Sequence, residues 1–316
     1  MTEFSDRLLR LSDSIEQVIQ GKTEEIQLAL VCLFAQGHLL MEDVPGVGKT
    51  MLARSLAASI DGSFRRIQFT PDLLPSDVSG VSIFDQTSGE FRFHPGPVFA
   101  NIVIADEINR ASPKTQSAML EVMAERQVTI DGFGHPVPVP FMVIATQNPI
   151  ELEGTYRLPE AQLDRFMMRI SIGHPDVAAT VRILKQHSAG APLEEVRPVL
   201  RADELGWMIE HAGQTYIADG IFEYVARVAE ATCNHPDLKL GVSPRGSLGL
   251  VRASRALAAA DGREYVTPED IKVLAEPVLA HRLLLTPEAE LQGKTAAMAL
   301  REAMGTVPVP QRRVSA

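Results

Sequence analysis

A glycine-rich segment that ends in lysine and threonine, Asp43–Thr50, lies between a short apolar run and a helical stretch. The run before it, His38–Met41, has the length of a buried strand, and the residues after it have helical periodicity. Glycines in a strand-to-helix turn let backbone N–H groups converge on an anion, and the helix N-terminus adds a favourable dipole. The segment is therefore predicted to be a phosphate-binding loop, in which Lys49 contacts the β- and γ-phosphates and Thr50 offers its hydroxyl to magnesium.

The loop departs from the usual glycine-first pattern at Asp43, because aspartate occupies the first position. Aspartate tolerates left-handed backbone better than most residues, so we expect the turn to keep its shape. The other predicted nucleotide-binding positions follow directly in the chain. They are Val44, Pro45, Gly46, Val47, Gly48, Lys49 and Thr50.

Short apolar runs that alternate with helical segments predict the fold of the first 175 residues. The runs are His38–Met41, Arg65–Phe69, Ile102–Ala105, Phe141–Thr146 and Met167–Ile172. Runs of this length between helices are typical of a parallel sheet that helices cover on both faces. Residues 1–175 are therefore predicted to form an α/β domain with a doubly wound parallel sheet.

The strand signal ends near residue 175, and helical periodicity follows it. Two of the later helices have clear start signals, because Ser243-Pro244 and Thr267-Pro268 each place a capping side chain before a proline. The predicted helices cover 177–187, 203–212, 219–233, 244–260 and 268–285. Residues 176–316 are therefore predicted to form a small all-helical domain with a short extended tail.

Two hairpin insertions are predicted within the α/β domain. In the first, Val81–Phe84 and Glu90–Phe93 flank a turn that contains glycine, and aromatic residues alternate as in a half-buried strand. In the second, Gln127–Ile130 and Val137–Val139 flank a loop that begins with Asp131-Gly132. Prolines in the latter arm exclude a central strand and favour an exposed edge.

The apolar run Ile102–Ala105 is followed by two neighbouring carboxylates, Asp106 and Glu107. Because like charges repel each other at a strand end, their pairing needs a reason. A magnesium ion held by Asp106 and an attacking water that loses its proton to Glu107 supply one. Strand ends are often acidic, and it is the preceding phosphate-binding loop that favours the functional interpretation.

Two further side chains are candidates for the same site. Asn148 follows a predicted strand and precedes a proline, which places its amide at the carboxyl edge of the sheet, although the segment taken in isolation favours a plain Asn-Pro turn. Arg165 could stabilise charge on a transferring phosphoryl group, with Arg169 as a rival for that role. A surface pair between Arg165 and Asp164 is the alternative.

Arg245 is a third candidate, because it lies in the first turn of a predicted helix. The helix dipole disfavours a cation there by about 0.3–1 kcal/mol. A cation placed against the dipole can serve to bind an external anion such as a γ-phosphate. A salt bridge to Glu269 or to a neighbouring residue is the alternative.

The composition excludes several classes of function. The 30 basic and 40 acidic residues give a net charge of −10, so tight sequence-independent binding to nucleic acid is not expected. The two cysteines, Cys32 and Cys233, are far apart, which excludes a disulfide framework and a thiolate zinc site and favours a reducing cytoplasm. The histidines lack zinc-binding spacing, and we expect neither a signal sequence nor insertion into a membrane.

The order of these motifs resembles that of the MoxR family of AAA+ ATPases over nearly the whole chain. The resemblance is carried by VPGVGKT (44–50), IADEINRASPKTQSAMLEVMAE (104–125), ATQNP (145–149), LPEAQLDRFMMRI (158–170), SPR (243–245) and VTPEDI (266–271). It implies a P-loop AAA+ α/β domain with two β-hairpin insertions and a helical lid domain. It also implies that the chain binds and hydrolyses ATP with Mg²⁺.

The resemblance assigns roles to individual residues and partners to the chain. The matching residues are Ile19 (adenine contact), Lys49 and Thr50 (Walker A), Asp106 and Glu107 (Walker B), Asn148 (first sensor), Arg165 (arginine finger) and Arg245 (second sensor). The family implies a homo-hexameric ring whose hairpins face the central axis. It also implies protein partners with a von Willebrand factor A domain, and a role in their remodelling, maturation or metal insertion.

Two other functions stay open at this stage. Related helicases share the hairpin insertions, so a DNA-dependent AAA+ motor is one alternative. Basic hairpins would favour it, but the first hairpin carries only Arg92 and the second carries no basic residue between Gln127 and Val139 except a histidine. A switch that binds ATP only to recruit a partner is the other, and the intact Asp106, Glu107 and Asn148 speak against it.

Overall fold

A computed structural model describes residues 3–310 of the chain, except residues 45, 88, 149–155, 157 and 190–195. Pro45 of the predicted phosphate-binding loop therefore lies outside the described residues. Within the described parts of the chain, no helix combines the length and the apolar character that crossing a bilayer requires.

The described chain alternates strands and helices up to about residue 175 and is mainly helical beyond it. The strands are β1 (Leu39–Glu42), β2 (Phe64–Gln68), β3 (Gly80–Asp85), β4 (Glu90–Pro95), β5 (Ile102–Asp106), β6 (Gln127–Ile130), β7 (Phe133–Pro136), β8 (Met142–Gln147), β9 (Met168–Ile170), β10 (Leu238–Leu240) and β11 (Leu284–Leu285). The helices are α1 (Glu3–Glu16), α2 (Thr23–Phe34), α3 (Lys49–Ser59), α4 (Pro75–Ser79), α5 (Pro113–Glu125), α6 (Glu160–Leu163), α7 (Val177–Ala189), α8 (Ala202–Gln214), α9 (Asp219–Cys233), α10 (Pro244–Ala260), α11 (Pro268–Leu279), α12 (Pro287–Leu291) and α13 (Ala296–Gly305).

The central sheet has five parallel strands in the order β2-β5-β8-β1-β9. These are the five apolar runs of the sequence, so the predicted strands and the parallel sheet are confirmed. Alternate side chains enter two cores, because Leu39 and Met41 of β1 pack on one face of the sheet while Leu40 packs on the other. Both faces are therefore buried, as the unbroken apolar runs indicated.

The first hairpin, β3–β4, is confirmed, and the second differs from its prediction. The arm expected at Val137–Val139 is wrong, since β6 pairs with Phe133–Pro136 instead. Asp131 and Gly132 both have positive φ, 52° and 82°, which makes a tight two-residue connection between Ile130 and Phe133. Such a turn fixes the register immediately after itself and leaves no room for a longer loop.

The C-terminal region is helical, as predicted, with three differences. The helix expected over 268–285 ends at Leu279, and a short 3₁₀ turn and β11 follow it. β11 pairs antiparallel with β10, so this region also contains a two-stranded sheet that the helical periodicity did not reveal. The helices α12 and α13 were not predicted either.

The two N-terminal helices lie between the sheet and the C-terminal helices. Leu11 of α1, Leu30 of α2 and Leu250 of α10 belong to the same buried cluster as Leu39 of β1. One hydrophobic core thus contains residues from both sides of position 175. The division near that position stays a prediction about domains, and it is not visible as a gap in the core.

Candidate active site

A cavity of about 400 Å³ opens at the carboxyl edge of the sheet, where the predicted loop follows β1. Both members of the carboxylate pair line it, together with residues of the loop and the first turn of α3. The lining residues are Gly46, Gly48, Lys49, Thr50, Met51, Arg66, Gln68, Asp106, Glu107 and Asn148. The structure therefore brings the loop, the carboxylates and Asn148 to one place.

The loop has the backbone that its glycines predict. Gly46 and Gly48 have φ values of 87° and 99°, a left-handed region in which other residues are strained. Lys49 begins α3, and its Nζ donates to the carbonyl oxygen of Asp43 at 2.7 Å, so the ammonium lies over the loop. Partial burial lowers the pKa of Lys49, and the carboxylates of Asp43, Asp106 and Glu107 oppose that shift.

Asp43 has a different part in the loop from the one expected. Its φ is not positive, so the left-handed backbone invoked for it is wrong. Its buried carboxylate instead accepts hydrogen bonds from the backbone N–H groups of Ile172 and Gly173, at 2.9 Å for Gly173, and from the Ser171 hydroxyl at 3.1 Å. Asp43 thereby fixes the start of the loop to the segment that follows β9.

Asp106 is held from two sides at the end of β5. The Thr146 hydroxyl donates to its Oδ1 at 2.5 Å, and the Arg66 guanidinium donates to its Oδ2 at 2.6 Å. Arg66 reaches it because β2 and β5 are neighbouring parallel strands. Arg66 thus balances the negative charge of Asp106, while a different cation balances that of Glu107.

Glu107 has a left-handed backbone, with φ at 54°. Its N–H donates to the Thr146 hydroxyl at 2.9 Å, while its Oε2 accepts from Gln68 at 3.0 Å and from Arg110 at 2.8 Å. A glutamate in this conformation costs about 1–3 kcal/mol, and such strain is concentrated at functional sites. The turn aims the carboxylate into the cavity, next to Asn148.

Ile19 lies behind the loop, as the resemblance implies for an adenine contact. It is buried, and its Cδ1 comes within 3.7 Å of the place that a side chain on Gly48 would occupy. The neighbouring Gln20 accepts a hydrogen bond from Arg182 of α7 at 2.8 Å. Ile19 thus lies next to the phosphate-binding loop, and its contact with an adenine base stays a prediction.

The donor atoms of this cavity fit a magnesium ion. The hydroxyl of Thr50 and the carboxylate of Asp106 both line the cavity, and hard oxygen ligands of this kind are those that Mg²⁺ prefers.

The predicted arginines lie elsewhere. Arg165 and Arg245 line a second cavity of about 190 Å³, the arginine cavity. Among the residues that the structure describes, it shares no lining residue with the first cavity. His38, which directly precedes β1, also lines the arginine cavity. This cavity therefore lies at the amino end of β1, whereas the phosphate-binding loop follows the carboxyl end. A four-residue strand separates its ends by about 13 Å. The arginines and the phosphate-binding loop of one chain therefore lie at opposite ends of the strands of the sheet.

Asp164 ties the two arginines together. It accepts from the Ser243 hydroxyl at 3.0 Å and forms a salt bridge with Arg282. Ser243 also caps α10, since its Oγ accepts from the N–H of Gly246 at 3.0 Å. Because Arg165 follows Asp164 directly and Arg245 lies two residues after Ser243, one partly buried network positions the backbone of both.

The described residues contain neither of the salt bridges that were the alternatives for Arg165 and Arg245. Arg165 donates to the carbonyl oxygen of Leu120 at 2.5 Å and forms no ion pair with Asp164. Arg169, the rival, forms an ion pair with Glu42 at 3.0 Å and does not line the arginine cavity. The expected alternative partner of Arg245, Glu269, pairs with Lys272 instead.

Sequence reasoning missed four residues that shape the first cavity, which is called the nucleotide cavity below. They are Arg66, Gln68, Arg110 and Thr146. Arg110 and Thr146 lie next to predicted motifs and could have been noted. Arg66 and Gln68 come from β2, and only the pairing of β2 with β5 brings them to the carboxylates.

Comparisons with known proteins identify the fold and the family. Residues 38–168 match the model of the family described as "ATPase family associated with various cellular activities (AAA)", and residues 230–303 match that of an "AAA lid domain". A crystal structure of an ATPase candidate from Cytophaga hutchinsonii has a TM-score of 0.91 and 36% identity, and the match covers 98% of this chain and 96% of that one. The fold is thus a P-loop AAA+ α/β domain with a helical lid.

Curated relatives extend over most of the chain. A protein named YeaC of Bacillus subtilis (strain 168) is 48% identical over 301 residues, covering 95% of this chain and 94% of the relative. Chaperone MoxR1 of Mycobacterium tuberculosis is 41% identical over 306 residues, covering 94% and 81%. Protein MoxR of Methylorubrum extorquens is 32% identical over 336 residues, covering 98% and 97%. The chain belongs to the MoxR family of AAA+ ATPases and is an ATP-hydrolysing enzyme.

Proposed function

We propose that this ATPase works as a ring of identical subunits, a homo-hexamer, with each active site shared between two neighbours. The observation that carries the proposal is the separation of Arg165 and Arg245 from the phosphate-binding loop of their own chain. An arginine that stabilises a transferring phosphoryl group must touch it. The arginine cavity can do so only by facing the loop of another copy, and a head-to-tail contact of this kind closes into a ring.

The residues of the nucleotide cavity have separable roles in this proposal. The loop N–H groups and Lys49 bind the β- and γ-phosphates, and Ile19 lies against the adenine. Glu107 accepts the proton of the attacking water, and Asn148 orients that water without competing for the proton. Thr50 and Asp106 hold Mg²⁺, which neutralises phosphate charge when it is bound.

The arginines complete the site from the neighbouring subunit. Arg165 stabilises the charge that develops on the γ-phosphoryl group, and Arg245 binds its oxygens from the lid. Because the contact of Asp164 with Ser243 joins the two segments that carry these arginines, we expect both to approach and leave the neighbour's nucleotide together. In this proposal the α/β domain spans residues 1–175 and the lid spans 176–316, and the two meet at this network.

The hairpins are proposed to contact a protein client. Phe93 of the first hairpin stacks on His135 of the second, with ring centroids 4.1 Å apart, so the two hairpins form one unit. Large apolar side chains remain exposed on this unit, with Phe91 and Phe133 each 71% exposed. Exposed apolar surface of this kind marks an interaction site. Chaperone-like remodelling of a partner with a von Willebrand factor A domain, in the cytoplasm, is the function that we propose for it.

The experiment combines assembly and capture. The Glu107→Gln variant is expected to bind ATP without turnover, and its mass by light scattering should rise from monomer to hexamer when ATP replaces ADP. A client should then co-purify with this variant and ATP, whereas Lys49→Ala, which lacks the phosphate contact, should capture none. A monomer at all nucleotide concentrations would contradict the ring.

A DNA-dependent motor is the second candidate, and the hairpins argue against it. The single arginine of the first hairpin, Arg92, already pairs with Asp85 at 3.2 Å. DNA binding requires several cations that are free for phosphates. Stimulation of the ATPase by DNA, with a steep dependence on salt, would favour the motor instead.

A further inference from the structure

The arginine cavity contains more positive charge than an arginine finger and a second sensor require. Among the described residues, five arginines line it and the one acidic lining residue is Asp164, which is already bonded to one of them. The five are Arg126, Arg165, Arg245, Arg252 and Arg282. Like charges that gather without counter-charges are costly unless an external anion binds between them.

Two of these five have no partner within the described chain. Arg282 is buried and bonded to Asp164 and to the carbonyl oxygen of Phe166, so it is part of the structure. Arg245 and Arg252 are exposed and form no hydrogen bond or ion pair with any described residue. Seven residues apart on α10, they lie on the same face of the helix, about 10 Å apart along its axis.

Arg126 is also held toward the cavity, at a conformational cost. It ends α5 with φ at 54°, and Gln36, just beyond α2, has φ at 55°. Glycine is usual at such helix ends, but here both residues have long side chains, and these meet. Arg126 donates from Nη1 to Gln36 Oε1 at 2.8 Å and from Nη2 to the Gln36 carbonyl oxygen at 3.2 Å. Burial and the nearby Arg252 lower the pKa of Arg126, so the two cations sense each other.

We infer that Arg252 and Arg126 extend the pair Arg165 and Arg245 into one four-cation site for the polyphosphate of the nucleotide that the neighbouring subunit binds. The inference rests on the proposed function, because it takes the neighbour's nucleotide as the anion. Arg252 is assigned direct contact with phosphate oxygens. Arg126, fixed by Gln36, supplies a positioned charge at the wall of the cavity.

The test separates the two sides of one active site in mixed rings. Donor chains carry Glu107→Gln, so they contribute arginines but no turnover, and acceptor chains carry Arg165→Ala, so they contribute only the phosphate-binding loop. Turnover then comes solely from acceptor loops that face donor arginines. Arg252→Gln is placed first in the donor and then, as a matched control, in the acceptor, whose arginine face is already disabled.

We expect Arg252→Gln to lower the turnover of the mixture about tenfold in the donor and not in the acceptor. Arg252→Lys in the donor should restore part of the loss, and Arg126→Gln should reproduce the loss in the donor alone. The control is Arg227→Gln in the donor, since Arg227 lies on α9, is 58% exposed and pairs only weakly with Glu223 at 3.9 Å. That control should have no effect.

Each outcome decides a different statement. If Arg252→Gln leaves the mixture unchanged, or lowers it equally in both chains, the four-cation site is overturned while the shared active site stands. If Arg252→Gln in the donor prevents assembly with ADP as strongly as with ATP, its partner is an acidic side chain of the second copy, and the phosphate assignment is wrong. If the mixture of Glu107→Gln and Arg165→Ala chains has no turnover without any further substitution, the shared active site is contradicted, and the inference is contradicted with it.

Discussion

The nucleotide cavity and the arginine cavity balance charge in different ways. In the first, each carboxylate already has a cation from the same chain, since Arg66 pairs with Asp106 and Arg110 with Glu107. In the second, Arg245 and Arg252 have no counter-charge within the described chain. In the nucleotide cavity the charges are balanced before a substrate binds. The arginine cavity has surplus cations, and only an external anion can balance them. The comparison indicates which side of the subunit needs a neighbour.

The largest expected effect comes from removing the finger of the arginine side. Arg165→Ala should lower the kcat of the assembled ATPase about 10³-fold, because the charge on the transferring phosphoryl group loses its cation. ATP affinity should change little, since Lys49 and the loop belong to the other cavity. Steady-state kinetics with a fluorescent-nucleotide binding assay would measure both, and a comparable loss of ATP affinity would contradict the separation of the cavities.

A somewhat smaller effect is expected on the nucleotide side. Glu107→Gln keeps the shape of the side chain and its contacts with Gln68 and Arg110 but removes the base, so kcat should fall about 10²-fold or more. ATP should stay bound long enough to be isolated with the protein. Single-turnover measurements of phosphate release would test this, and turnover near that of the unaltered enzyme would exclude Glu107 as the base.

Breaking the network between the arginines should cost stability as well as activity. Asp164→Asn leaves the buried Arg282 without its carboxylate, which should lower the free energy of unfolding by about 3 kcal/mol. Asp203→Asn is the matched control, because the Arg201–Asp203 pair is exposed and should contribute less than about 1 kcal/mol. Urea unfolding measures both variants.

The Asp164→Asn variant also tests whether the arginine cavity and the nucleotide cavity of one chain act separately. In mixed rings, Asp164→Asn should reduce turnover when it is in the chain that supplies arginines and should leave ATP binding by its own loop intact. Equal losses of unfolding free energy in the Asp164 and Asp203 variants would show that the network does not hold the arginines.

The smallest expected effect is a pH dependence of stability on the arginine side. The buried His38 donates from Nε2 to the Met123 carbonyl oxygen at 3.0 Å and accepts at Nδ1 from the Val143 N–H, also at 3.0 Å, so it is neutral. Burial, aided by nearby arginines, lowers its pKa to about 4. Unfolding therefore takes up a proton between the ordinary pKa of histidine, about 6.5, and about 4, and stability falls as the pH falls through that range.

His38→Gln separates this effect from general acid denaturation. The amide can make both hydrogen bonds but does not titrate. Between pH 7 and pH 5 the unaltered protein should lose about 2 kcal/mol more unfolding free energy than the variant does. Buried His281, whose pKa is also lowered by burial and by Arg282, adds to the loss in both proteins and cancels in the difference. Identical pH profiles would contradict the assignment.

The nucleotide side could be predicted from sequence because its parts are local. The loop, the carboxylate pair and Asn148 each follow a strand, and parallel strands bring their carboxyl ends to one edge. Arg66 could not be placed there, since its approach to Asp106 depends on which strands are neighbours. The second hairpin was assigned to the wrong residues because a two-residue Asp-Gly turn fixes the pairing at once.

The arginine side could be predicted only in part. Arg165 and Arg245 were found through their motifs, but their distance from the loop of the same chain depends on how the lid packs against the sheet. Arg126 and Arg252 carry no motif, and they come together only because the end of α5 and one face of α10 line the same cavity near the amino end of β1. Charge that gathers through tertiary packing leaves no signal in a linear sequence.

The central claim is that one active site needs two chains, and turnover in mixed rings tests it most directly. Glu107→Gln and Arg165→Ala are each inactive alone, one for lack of a base and the other for lack of a finger. Random mixing in equal amounts should restore about one quarter of the unaltered turnover, since one interface in four then joins an intact loop to an intact finger. A mixture as inactive as its two components would contradict the account.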